Sequence, residues 1–145
     1  MFSKFITFLK FEEQLLSELV RLSQRQQLAI VRNDIREIQE INSYQVELNK
    51  NLLKAEEDRF LILTNWLKIN KSDSRKLKLS ELKKFINKEE AKELQRIQKS
   101  FEVLINQLYT LNNTNRMLIN RARISIKEMI DFVTNGTQNV CNIKV

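Results

Sequence analysis

From Leu94 to Phe132 the seam positions recur at alternating steps of three and four: Leu94, Ile97, Phe101, Leu104, Leu108, Leu111, Asn115, Leu118, Ala122, Ser125, Met129 and Phe132. Such steps return to one side of an α-helix, so the spacing predicts a single long helix with a lengthwise packing seam. No Gly or Pro interrupts it. The seam is large and apolar as far as Leu111 but turns small or polar at Asn115, Ala122 and Ser125, while Met117, Ile119, Ile124, Ile126, Ile130 and Val133 stand off it. The first half reads as core and the second as a surface that awaits a partner.

Two further helices precede it. Phe5, Phe8, Leu15, Leu19, Leu22 and Ala29 form a stripe, widened by Leu9, Leu16 and Ile30, that predicts a first helix over Phe2 to Val31 facing two neighbours. Its phenylalanine-rich start is expected in the core under a neighbouring helix, the alternative being an exposed patch for a partner. Arg32-Asn33-Asp34 breaks the pattern, with Asp34 able to cap the next helix and Glu37, three residues on, able to complete a capping box. So short a connection predicts an antiparallel hairpin. Helix two has the cleanest register: Ile38, Ile41, Gln45, Leu48, Leu52, Ala55, Arg59, Ile62, Trp66 and Ile69. Gln45 and Arg59 within that seam are expected to set register or to reach solvent along their stems.

The region from Asn70 to Ser80 reads as a solvated, mobile connection. Ser80 can cap a short helix over Glu81 to Ile86, and Asn87 with Glu90 forms a capping box for the last helix. Asn135-Gly136 is a stop signal, so residues 1–134 are expected to be one helical domain and 135–145 a flexible tail. At ~1.5 Å per residue, helix two spans about 54 Å and the last helix about 68 Å. Running back along helix two, the last helix would project past the hairpin turn by roughly its final ten residues. The fold class expected is therefore all-α: an elongated antiparallel bundle or coiled coil of three long helices with a short connecting helix.

Composition narrows the function. With one Gly and no Pro in 145 residues, tight hairpins and Gly-rich phosphate loops are out of reach. The chain has no histidine and a single cysteine, Cys141, which removes His-based triads, ordinary zinc sites and disulfide frameworks. No enzyme activity, metal or cofactor is expected. A lone thiol suits a reducing compartment, and the short apolar run Phe5 to Leu9 between Lys4 and Lys10 is neither a secretory segment nor a membrane span, so a cytoplasmic location is expected. The formal charge is +7, and Lys68, Lys71, Arg75, Lys76, Lys78, Lys83, Lys84 and Lys88 concentrate it against only Asp73 and Glu81. This could be a nucleic-acid footprint or a solvated linker; no DNA-binding motif accompanies it.

These landmarks together resemble the flagellar export chaperones of the FlgN type. The resemblance rests on the hairpin break Asn33-Asp34 and on Arg59 before the apolar run Phe60 to Leu63. It rests further on Leu79-Ser80-Glu81-Leu82 and above all on the paired asparagines in Leu111-Asn112-Asn113-Thr114-Asn115-Arg116-Met117-Leu118-Ile119. It implies a cytosolic protein that holds hook-associated (hook-filament junction) proteins before export, by the C-terminal part of its last helix, and that meets the export apparatus. Family members often carry a tyrosine-glycine segment after that helix, associated with docking at the export gate. Here only Asn135-Gly136 follows, with no tyrosine in the tail.

The candidate partner-binding residues are Asn112, Asn115, Leu118, Ile119, Ala122, Arg123, Ile126, Met129, Ile130 and Val133. Their apolar members recur at the steps that helix-in-groove recognition needs, and burying three or four would yield roughly 5 to 10 kcal/mol before ordering costs. Asn112, Asn113 and Asn115, poor residues for a helix interior, either bond across the bundle or meet the client. Arg116, Arg121 and Arg123 suit acidic groups on a protein partner. The expected state is a monomer or weak homodimer, without nucleic acid or membrane insertion. The alternatives are a structural coiled-coil adaptor or scaffold that dimerises through the same seam and, less favoured, a nucleic-acid-binding helical protein.

Overall fold

A computed structural model describes residues 1–144 of the chain, with side chains described as far as Asn135. Three long helices, α1 (Phe2–Val31), α2 (Ile35–Leu67) and α4 (Lys88–Lys144), are joined by a tight turn and by a compact segment holding the short α3 (Lys71–Lys76) and a 3₁₀ turn, Leu79–Phe85. The helix stop expected at Asn135-Gly136 is not made, since α4 is continuous to Lys144, and the side chains of the tail expected over 135–145 lie, Asn135 apart, outside the described residues. Among the described residues there is no strand, and no helix is long and apolar enough to cross a membrane.

The breaks in the sequence become built helix ends. Asn33 takes a left-handed conformation (φ 56°), and the turn closes as Asn33 N–H donates to the Ile30 carbonyl at 3.1 Å and Asp34 N–H to that of Ala29 at 2.9 Å. This is the Schellman arrangement, which satisfies carbonyls that the helix end leaves open. The Asp34 carboxylate then accepts from Glu37 N–H at 3.1 Å and starts α2. Glu37 does not complete a reciprocal box; its side chain takes Arg25 of α1 instead, at 2.6 Å. Asn87 and Glu90 do form the full box, with bonds of 2.8 and 3.1 Å. Because Asn tolerates positive φ better than residues with bulkier side chains, Asn33→Val should destabilise the fold by about 1–2 kcal/mol, while Asn33→Gly should stay near neutral. Urea midpoints of the two variants check this.

Packing places α1 in the middle, as its broad stripe requires. It runs antiparallel to α2 on one side and parallel to α4 on the other; among the described residues α2 and α4 do not approach within 8 Å between Cα atoms. The last helix therefore does run back along the bundle, but on α1 and not directly on α2. At one end Phe2, Phe5, Ile6 and Leu9 meet Leu63, Leu82, Leu94 and Ile97 in the main core, where Trp66 packs against both Phe2 and Phe5. The phenylalanine-rich start is thus core. Nearer the hairpin, Leu22, Ala29 and Ile41 form a smaller cluster.

The linker departs from its expectation. Asn70 caps α3 by accepting from Asp73 N–H at 2.7 Å, Ser74 is fully buried, and Leu77, Leu79 and Ile86 pack against the main core around a fully buried Leu82. Lys71 and Arg75 both pair with Glu57 of α2. The expected mobile connection is a fixed cap on the bundle, because its four spaced apolar residues find the end of the core. The short element runs over Leu79–Phe85, starting two residues and ending one residue before the expected Glu81 to Ile86, so Ser80 lies inside it and does not cap it.

Candidate functional site

A polar layer joins all three long helices. Ser23 of α1 donates from Oγ to Asn112 Oδ1 of α4 at 3.1 Å and accepts from Gln45 of α2 at 3.4 Å. Asn115, only 2% exposed, donates from Nδ2 to the Ser23 carbonyl at 2.9 Å and to Gln26 Oε1 at 3.1 Å. Gln26 in turn donates to Asn42 at 2.9 Å. Of the two roles open to the asparagines, Asn112 and Asn115 take the first: they bond across the bundle and align α4 with α1. Asn115 does not reach the outer surface where a partner would find it. Such a layer sets register, because a one-residue slip would leave the buried Asn115 Nδ2 and Gln26 amide without their partners.

The other polar residue in the α2 seam is an ionic version of the same device. Arg59 donates from Nε to Glu12 Oε1 of α1 at 2.6 Å, with side-chain exposures of 15% and 7%. Its guanidinium also lies 4.7 Å from the centre of the Phe60 ring. Burial pushes the Glu12 carboxyl above its ordinary range, against the pull of Arg59 and with a further push from Glu56. Glu12 carries no signal in the sequence beyond being a polar residue within a broad apolar stripe.

Past this layer the bundle thins. The parallel pairing of Ser23 and Gln26 with Asn112 and Asn115 brings the end of α1 beside residue 120 or so, at equal rise per residue, and α4 continues beyond. Leu118 and Ala122 are half-buried, but Ile126 is 58%, Met129 67% and Phe132 80% exposed, and Ile119, Ile130 and Val133 are exposed too. The expected overhang is present, and among the described residues nothing sheathes Ile126, Met129 or Phe132.

Between the hairpin and α4 lies an open groove of about 760 Å³. Ile119, Ala122, Arg123, Ser125, Ile126 and Met129 form one wall; Ile30, Asn33, Ile35 and Ile38 form the other. The structure thus brings five of the ten candidate residues together in the groove: Ile119, Ala122, Arg123, Ile126 and Met129. Ile130 and Val133 lie farther along the helix, Leu118 turns toward the bundle, and Asn112 and Asn115 belong to the polar layer. The second wall was missed. Its signal was the isoleucines on both sides of Asn33-Asp34: Ile30 and Ile38 fall on the packing stripes, whereas Ile35, 67% exposed, falls on none.

Arg116, Arg121 and Arg123 are exposed, and among the described residues none pairs with a carboxylate. A smaller cleft between α1 and α2, about 410 Å³, is ringed by Glu18, Arg21, Arg25 and Glu47, of which Arg21 is held by Glu18 and Arg25 by Glu37. No three carboxylate or thiol residues among those described are placed to hold a metal ion.

Fold and surface together define a class: an all-helical rod whose outstanding surface feature is an apolar face carried on one helix end, suited to contact with another polypeptide. The family model described as FlgN protein matches residues 1–142, and the chain belongs to this family, which is one of flagellar export chaperones. No curated protein and no solved structure matches the chain.

Proposed function

We propose that this chain is a cytoplasmic, non-catalytic chaperone of flagellar type III export that captures hook-associated proteins in the groove and along the overhang of α4. The observation that carries this reading is the exposure of Ile126, Met129 and Phe132 on a helix anchored firmly by its other half. A long apolar face costs solubility, and a protein that hides it only when a client is present turns that cost into affinity. Covering the client's own apolar segment would prevent aggregation and premature assembly, with Arg123 selecting for acidic groups beside that segment. Release would follow at the export apparatus.

A chain ending near Asn120 keeps both apolar clusters and the polar layer but lacks the overhang. It should stay folded and fail to retain a purified hook-filament junction protein that the full chain retains. Equal retention by both would place the client elsewhere. Sedimentation tests the scaffold alternative: a tight dimer of the full chain, absent from the shortened one, would mean that a second copy covers the face.

A further inference from the structure

The opposite end of the rod carries almost all of the net charge. Between Lys68 and Lys88 stand eight basic and two acidic residues, so this short segment accounts for +6 of the chain's +7. All eight basic side chains are exposed. Glu57 engages Lys71 and Arg75, while among the described residues Lys68, Lys76, Lys78, Lys83, Lys84 and Lys88 have no ion-pair partner.

A solvated linker would not hold these charges in place. Here Leu77, Leu79, Leu82 and Ile86 fasten the segment to the main core, so the lysines stand on a fixed cap. In their midst Phe85, between Lys84 and Lys88 in the chain, is left 58% exposed although its neighbours Leu82 and Ile86 turn inward. An exposed aromatic ring among unpaired lysines is the pattern of surfaces that meet a charged bilayer: the lysines collect at anionic headgroups and the ring enters the interface.

Residue type separates this from other polyanions. The unpaired cations are all lysines, hydrated point charges that suit mobile headgroups, whereas fixed carboxylates and phosphates favour the planar fork of arginine. The one arginine of the cap is already committed to Glu57. A single ring also falls short of the row of stacking aromatics that binding of single-stranded nucleic acid uses.

We propose that this cap is a peripheral docking surface for anionic lipid bilayers, with Lys78, Lys83, Lys84 and Lys88 at the headgroups and Phe85 inserted among them. Docked by this end, the rod directs its apolar groove away from the bilayer, roughly 50 Å distant by the length of α2. The interaction is reversible and needs no spanning segment.

Vesicle flotation of the full chain tests it, using phosphatidylcholine alone and phosphatidylcholine with about 30% phosphatidylglycerol. At low salt the anionic vesicles should retain at least about tenfold more protein, and about 0.5 M salt should release it. The pair Lys83→Glu and Lys84→Glu should abolish retention, and Phe85→Ser should weaken it severalfold. Arg121→Glu with Arg123→Glu, the same charge change at the other end, should leave it intact. Equal retention on neutral vesicles, or equal loss from both charge pairs, would overturn the proposal. So would stronger binding to polyglutamate or duplex DNA that Phe85→Ser does not alter, which would make the cap a site for an acidic protein or a nucleic acid.

Discussion

Replacing Ile126 and Met129 together with aspartate should weaken capture of a hook-filament junction protein by roughly a thousandfold, with little change in helix content. Burying each side chain contributes about 1.5–3 kcal/mol, and a carboxylate set there must also lose its water, so a loss of at least about 4 kcal/mol is expected. The free protein is indifferent, because both positions are more than half exposed and touch little of the bundle. Titration of purified client, with circular dichroism on the same samples, separates a lost site from a lost fold. Undiminished affinity would remove the groove from the client's path. A milder version probes the other wall: Ile35→Asp, also at an exposed position, should lower affinity only if the client lies between hairpin and α4.

The second large effect lies in the fold. Arg59→Ala should destabilise the protein by about 3–5 kcal/mol, because it leaves the Glu12 carboxylate buried with no countercharge. The sign with pH follows from the direction of the Glu12 shift. A carboxyl whose folded value stands above its unfolded one binds its proton more tightly when folded, so stability falls as pH rises through the window between the two values and is flat above it. Arg59 is what limits that rise, so its removal widens the window and steepens the loss. Urea midpoints at about pH 5 and about pH 8 should therefore diverge more in Arg59→Ala than in the parent, and Glu12→Gln should cancel the Glu12 contribution. A combined Glu12→Leu and Arg59→Met change should be neutral or stabilising, since two desolvated charges give way to apolar packing. A parent midpoint that rises with pH in this window would contradict the assignment.

These two sites differ in how far the sequence revealed them. The overhang came from helix lengths alone: two counts of residues and a fixed rise per residue put the end of α4 past the turn. Half of the groove was legible in this way, the half lying on α4. The other wall was not, because Ile30 and Ile38 carry the same periodic signature whether they face a core or an open groove, and Ile35 stands off the register altogether. The Asn112 and Asn115 pair was visible as an anomaly, yet its meaning depended on Ser23 and Gln26, some ninety residues away in the chain. Glu12 was invisible for the same reason: its partner Arg59 lies 47 residues off.

What the sequence determined by itself was local. The capping residues, the three-and-four spacing of apolar groups and the near absence of Gly and Pro act within a turn or two, and they were enough for an all-helical chain, its breaks at Asn33 and Asn87, and a first helix broad enough for two neighbours. Only the tertiary structure decided which stripe lies on which: that α4 takes α1 and not α2, that Asn115 turns inward, and that the lysine-rich linker becomes a cap. Several similar apolar stripes can pair in several ways, and the choice rests on contacts between residues far apart in the chain, which no window along the sequence contains.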